Sequence, residues 1–187
     1  MKKYILASGS PRRRELIKKL NLDFEIMPSR YEEELDNRHF SYEKIEKLAY
    51  DKALEVANRL TEPAIIVGAD TVVVLDKRIL TKPIDKNDAF NTLKALSDRE
   101  HEVVTGMAVI DKYQNKSIIR SVTTKVAFNN LTDEMINFYI DNYKPFDKAG
   151  SYGIQELPEG FVNYLVGNEE NVIGLCTTAL KEMIEQL

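Results

Sequence analysis

Apolar positions along the chain follow two rhythms, short uninterrupted runs and longer stretches with helical spacing. Tyr4-Ile5-Leu6-Ala7 is a run of the first kind and reads as a short strand. It stops at Ser8-Gly9-Ser10-Pro11, after which Leu16, Ile17 and Leu20 form an apolar stripe. Ser10 suits a helix N-cap and Pro11 the first helical position, so a helix is predicted to start there. Phe24-Glu25-Ile26-Met27 predicts a second short strand, and Ser41 the cap of a helix reaching about Leu60. That helix carries Ile45, Leu48, Ala49, Ala53 and Val56 on one face. Ala64 to Leu75 is almost wholly apolar and rich in valine and isoleucine, which favours strand. Asp76-Lys77-Arg78 is a turn signal, and Ile79-Leu80-Thr81 returns as its hairpin partner. Asp85 begins a helix with Ala89, Leu93 and Leu96 on one side. Two strands, Glu102 to Asp111 and Ser117 to Phe128, flank the polar turn at 112–116. Thr132 caps a further helix, with Asp133 and Glu134 in its first turn, where the dipole favours negative charge. Residues 144–170 read as loop, with a short strand around Tyr152-Gly153-Ile154. A final amphipathic helix runs from about Leu175.

Strands and helices alternate, yet hairpins interrupt the alternation. The expected class is therefore α/β, with a mixed twisted sheet and flanking helices. The length of 187 residues suits a unit able to bury its own core, and no repeat or linker divides it. A formal net charge of −4 argues against a general nucleic-acid binder, so any cationic cluster is local and calls for a specific anionic partner. Cys176 is the sole cysteine, which rules out an intrachain disulfide and suits a small buried hydrophobe. The apolar run after Lys2 and Lys3 ends at Ala7, short of a secretory signal, and no window reaches the length of a membrane span. A cytoplasmic protein without membrane contact is the expectation.

Candidate chemistry begins at Ser8-Gly9-Ser10-Pro11-Arg12-Arg13-Arg14. A helix start already carries the positive end of its dipole, so three arginines there are misplaced unless an anion completes the site. The P-loop pattern is absent, so the site is not of that kind. Asp70 is the second signal, a carboxylate inside Ile65-Ile66-Val67-Gly68-Ala69-Asp70-Thr71-Val72-Val73-Val74. Such a group needs a partner, and either a strand-end cap or a general base or metal ligand would supply the reason. Gly68 points to a bulge or a close backbone approach. Lys52 breaks its helix by projecting from the apolar face, either snorkelling or reaching a cleft. With Arg12, Arg13, Lys82 and Lys148 it offers about the charge a triphosphate needs, usually shared with a divalent metal. Glu32, Glu33 and Glu34 suit a solvated acidic loop, or a donor joining Asp70 at Mg²⁺ or Mn²⁺. Gln155 either ties down its loop or reads the edge of a base. His39 and His101 form no local motif, which disfavours zinc and a serine triad.

Five blocks resemble the Maf family, in the family's order and across nearly the whole chain. They are Ile5 to Arg13, Val67 to Val73, Lys82-Pro83, His101 to Gly106, and Asp147-Lys148-Ala149-Gly150-Ser151-Tyr152-Gly153-Ile154-Gln155. The resemblance implies one elongated domain over 1–187, two lobes around a central cleft, in a fold shared with the inosine triphosphatases. It implies a nucleoside triphosphate pyrophosphatase that releases a monophosphate and pyrophosphate with Mg²⁺ or Mn²⁺, working as a homodimer. By matching position it makes Asp70 the proton acceptor. Ser8, Arg12, Arg13, Lys52 and Lys82 become phosphate ligands, and Glu33 an acidic metal-side residue. Arg13, Thr71 and Gln155 match positions tied to the dTTP/UTP branch. Its alternatives are the 7-methyl-GTP branch and a nucleotide-sensing regulator of septum formation. Lys144-Pro145-Phe146 and Cys176 depart from the family pattern beside the substrate loop.

Overall fold

The computed structural model describes residues 2–31 and 39–187. Its strands are β1 (Tyr4–Leu6), β2 (Phe24–Ile26), β3 (Ile65–Leu75), β4 (Arg78–Leu80), β5 (Glu100–Asp111), β6 (Lys116–Phe128) and β7 (Val162–Val166). The helices are α1 (Pro11–Ile17), α2 (Tyr42–Arg59), α3 (Lys86–Leu96), α4 (Asp133–Tyr143), α5 (Glu169–Ile173) and α6 (Thr177–Glu185). The sheet runs β2-β1-β3-β5-β6-β7, with β4 also on β3. β1 is parallel to β2 and to β3, and the other pairings are antiparallel. The mixed sheet expected from the alternating pattern is present.

The helix starts follow the capping residues. Ser10, Ser41, Asp85 and Thr132 each accept a backbone N–H of the first turn. The stripe of α2 is wholly buried. It packs on the sheet face that presents Ile66, Ala108, Val72 and Val104. Gly68 explains how closely it packs. A Cβ there would lie 2.2 Å from the Ala49 carbonyl oxygen, and one at Gly106 would lie 2.5 Å from that of Ile45. The β3–β5 register is unbroken through Gly68, so this glycine serves close approach and not a bulge.

The opposite face carries two separate groups. Near β1, Val67, Ala69, Met107 and Val109 pack against α1 and α6. Farther along, Val73, Val103 and Phe128 pack with Leu93, Ile136 and Tyr139 of α3 and α4. Between them lie Thr71 and Thr105, a polar waist across two otherwise apolar strands.

Residues 144–170 differ from expectation. No strand forms at Tyr152; two 3₁₀ turns, Ala149–Ser151 and Ile154–Glu156, stand there instead. Gly150 and Ser151 both take the left-handed region, at φ 66° and 64°, which breaks an extended run. β7 and α5 occupy part of the stretch read as loop. Cys176 is buried and stands at the N-cap of α6, and Lys144 ends α4 in the left-handed conformation.

Candidate active site

The fork in the sheet creates the cleft. β1 pairs with β3 at residues 65–67, and β4 pairs on the same edge at 73–75. Among the described residues, β5 is the only strand that pairs with Gly68 to Val72, so the other edge of β3 opens there into a cleft of about 440 Å³. Its walls come from the start of α1, the middle of α2, the 3₁₀ segment and the end of α5. That volume suits a nucleotide-sized ligand.

Asp70 lies in mid-strand opposite Gly106, which disposes of the strand-end cap reading. It is 7% exposed and faces α2. Lys52 Nζ donates to Asp70 Oδ1 at 2.5 Å, so the lysine that breaks its helix's pattern meets the carboxylate that breaks its strand's. Both line the cleft. Burying a charge without compensation is costly, and this pairing offsets that cost while keeping both groups at the edge.

Thr71 points to the other face, as the alternation of a strand requires. There it meets Arg13, whose Nη2 donates to Thr71 Oγ1 at 3.0 Å and whose Nε donates to the Gly174 carbonyl at 2.8 Å. Arg13 Nη1 also reaches Ser8 Oγ at 3.4 Å. The misplaced arginine thus donates to the C-cap carbonyl of α5, at the negative end of that helix. Arg12 forms a 3.6 Å pair with Asp147 across the cleft mouth. Burial raises the Asp147 carboxyl, but the hydrogen bond and charge of Lys148, with Arg12, outweigh it and hold the group below its usual range. Lys148 is buried between Asp147 and Glu156, at 2.9 and 3.2 Å. Lys82 and Gln155 are exposed and line the cleft. Arg14 is exposed and lies outside that lining. Ser8 is buried behind the α1 entrance, where its Oγ accepts the Ser10 N–H. Glu33 falls outside the described residues.

The structure therefore brings Arg12, Arg13, Lys52, Asp70, Thr71, Lys82 and Gln155 to one cleft. It adds groups to which pattern reading gave no role, Asp147 and the Gly174 carbonyl at the cleft and Thr105 behind Thr71. Thr105 had a visible signal, a hydroxyl in the apolar run Val103 to Val109, of the same kind that picked out Asp70.

Tyr152 lines the cleft, and His101 lies buried behind it. His101 is 2% exposed, and its Nε2 lies 2.6 Å from the Tyr152 hydroxyl. Burial lowers the imidazole from 6.5 to about 4, against a smaller upward pull from Glu100. The same burial pushes the Tyr152 phenol up. Above pH 6.5 the imidazole is neutral in both folded and unfolded chains. Between 6.5 and 4 only the unfolded chain gains the proton, so stability falls as the pH drops through that window. Urea unfolding should show a loss of about 3 kcal/mol between pH 7 and pH 4 that His101→Gln lacks. Parallel curves for the two proteins would contradict it.

A family model described as Maf-like protein matches residues 3–187. The chain belongs to the Maf family. A dTTP/UTP pyrophosphatase of Alkaliphilus oremlandii is 47% identical, over 94% of this chain and 91% of its own length. A relative of the same name from Ruminiclostridium cellulolyticum is 43% identical, over 100% and 97%. Among solved structures, the Staphylococcus aureus Ham1 protein superposes with a TM-score of 0.52 over 99% of both chains, at 15% identity. That likeness is one of fold, and it agrees with the mixed α/β arrangement of this Maf-family chain. Among the described residues no helix is long and apolar enough to cross a membrane.

Proposed function

We propose that the cleft hydrolyses dTTP and UTP to the nucleoside monophosphate and pyrophosphate. One observation carries the reading: the Lys52–Asp70 pair at 2.5 Å on an open strand edge that Arg12, Arg13 and Lys82 also line. Support for the substrate comes from the curated relatives, which share the family and bear that activity in their names. The cations bind the triphosphate and spread its charge, and Thr71 and Gln155 contact the nucleoside. A water held by Asp70 attacks the α-phosphorus. Its oxygen bonds to phosphorus as the bond to the β-phosphate bridging oxygen breaks, its proton passes to Asp70, and pyrophosphate leaves.

Mg²⁺ or Mn²⁺ fits this donor set as a shared ligand. Among the described residues no three metal-type side chains gather, while Asp70 offers hard oxygens beside the space for phosphates. Mg²⁺ is commonly held in that way, by one or two carboxylates together with substrate oxygens. Asp70 would hold it, with Glu33 as the second carboxylate. When bound, the ion neutralises phosphate charge. The whole chain acts as one two-lobed unit, in a cytoplasmic homodimer.

Incubation of the pure protein with a nucleotide panel and Mg²⁺ or Mn²⁺ tests the reading. Pyrophosphate and monophosphate should appear from dTTP and UTP. Orthophosphate as the product would overturn the bond assignment. Saturable binding without turnover would replace the enzyme with a sensor, and preference for 7-methyl-GTP would move it to the other branch.

A further inference from the structure

Thr105 is fully buried in β5 and touches no part of the cleft's surface, yet its hydroxyl sits in a chain of hydrogen bonds leading there. Arg13 Nη2 donates to Thr71 Oγ1 at 3.0 Å, and Thr71 Oγ1 lies 2.9 Å from Thr105 Oγ1. Thr105 Oγ1 lies 3.0 Å from the Asn171 carbonyl. Both ends of this chain are irreversible, because a guanidinium cannot accept and a carbonyl cannot donate. Each hydroxyl has one proton, and Thr105 commits its proton to Asn171. Thr71 must then donate inward to Thr105, and the 3.3 Å contact from Thr71 to the Gly174 carbonyl is the weaker use of that proton. The oxygen of Thr71 is left facing Arg13 as an acceptor.

The far end is rigid as well. Asn171 is buried, and its Nδ2 donates to the Val103 carbonyl at 3.0 Å and to Thr124 Oγ1 at 3.1 Å, which pins α5 to β5 and β6. The Gly174 carbonyl just beyond α5 accepts Arg13 Nε. Besides its contact with Ser8, Arg13 is therefore held at two points that both trace back to α5.

We propose that Thr105 is a positioning residue for ligand binding: it orients the Thr71 hydroxyl so that Arg13 is held ready for the nucleotide. The inference rests on the reading of the cleft as a nucleotide site. Without the Thr105 hydroxyl, Thr71 loses its inward acceptor and turns its proton to the Gly174 carbonyl, which swings its oxygen away from Arg13 Nη2. The guanidinium loosens, and ordering it again falls on ligand binding. Chemistry at Asp70, on the other face of β3, is untouched.

The test is steady-state pyrophosphate release from dTTP by Thr105→Val, Thr105→Ser, Thr71→Val and the double Thr71→Val/Thr105→Val variant. Thr105→Val should raise KM about tenfold with kcat within about twofold, the size expected for one hydrogen bond to a charged group. Thr105→Ser should restore KM, since it keeps the hydroxyl. In the Thr71→Val background, Thr105→Val should add nothing further. Additive effects, an unchanged KM, or a serine variant as poor as the valine would overturn the proposal. If Thr105→Val does not fold, Thr105→Cys keeps the volume with a weaker donor, and the same rise in KM is required of it. Absence of any turnover in the wild-type protein would defeat the pyrophosphatase reading itself, a result distinct from every one of these.

Discussion

Asp70→Asn should lower turnover of dTTP about a thousandfold while leaving nucleotide binding intact. The asparagine keeps the shape and can still accept from Lys52, but it cannot take the proton of the attacking water. The substitution also removes one negative charge beside Lys52, 2.5 Å away, in a cleft that is to receive a triphosphate. Metal-free binding should therefore hold or tighten, and calorimetric titration with dTTP in the presence of EDTA would show it. Pyrophosphate release within about tenfold of wild type would take Asp70 out of the role of base. A collapse of binding along with turnover would mean that the carboxylate's main task is to hold the cleft together through Lys52. Lys52→Ala provides the contrast, because losing a phosphate ligand should act on KM.

The largest effect on stability is expected from Gly68→Ala. A methyl group at that position would sit 2.2 Å from the Ala49 carbonyl oxygen and 2.9 Å from the Ala53 Cβ. Neither neighbour can yield cheaply, since the first is helix backbone and the second is a buried residue of the same helix. α2 would have to lift from the sheet, at a cost of about 3 kcal/mol, typical of an overpacked core. In a chain of this size that lowers Tm by about 10 °C. The same lift would draw Lys52 away from Asp70, so activity measured below the new Tm should fall too. A Tm within 2 or so degrees of wild type, about the effect of 1 kcal/mol or less, would show that α2 has slack the packing does not reveal.

Most of the scaffold was legible because its signals are local. Ser10, Ser41, Asp85 and Thr132 mark helix starts through their own hydrogen bonds to the next turn. The runs forming β3, β5 and β6 are long enough that no other element competes with strand. The segment from 144 to 170 was not legible in the same way. Tyr152 and Gly153 do have extended backbone, but the left-handed pair before them keeps them from joining a strand. β7 has no fully buried residue and acquires its identity from pairing with β6. α5, only five residues long, is held by Asn171 against two strands.

For the site, the sequence by itself singled out the residues whose presence needed explaining: a carboxylate in an apolar strand, a lysine on an apolar helix face, arginines at a helix start. Each was an energetic anomaly visible without neighbours, because burial, periodicity and the helix dipole are properties of a few consecutive residues. It also determined the family, through five blocks spread along the chain. Only the tertiary structure decided who answers each anomaly. Asp70 and Lys52 are 18 residues apart in sequence, and they meet because Gly68 lets α2 lie directly on β3. Arg13 and Gly174 are 161 apart, and they meet because β1 and β4 leave the middle of β3 open between two core groups. Strand pairing and helix docking are long-range choices among alternatives of similar local energy. The cleft, its polar waist and the hydrogen-bond chain through Thr105 exist only once those choices are made.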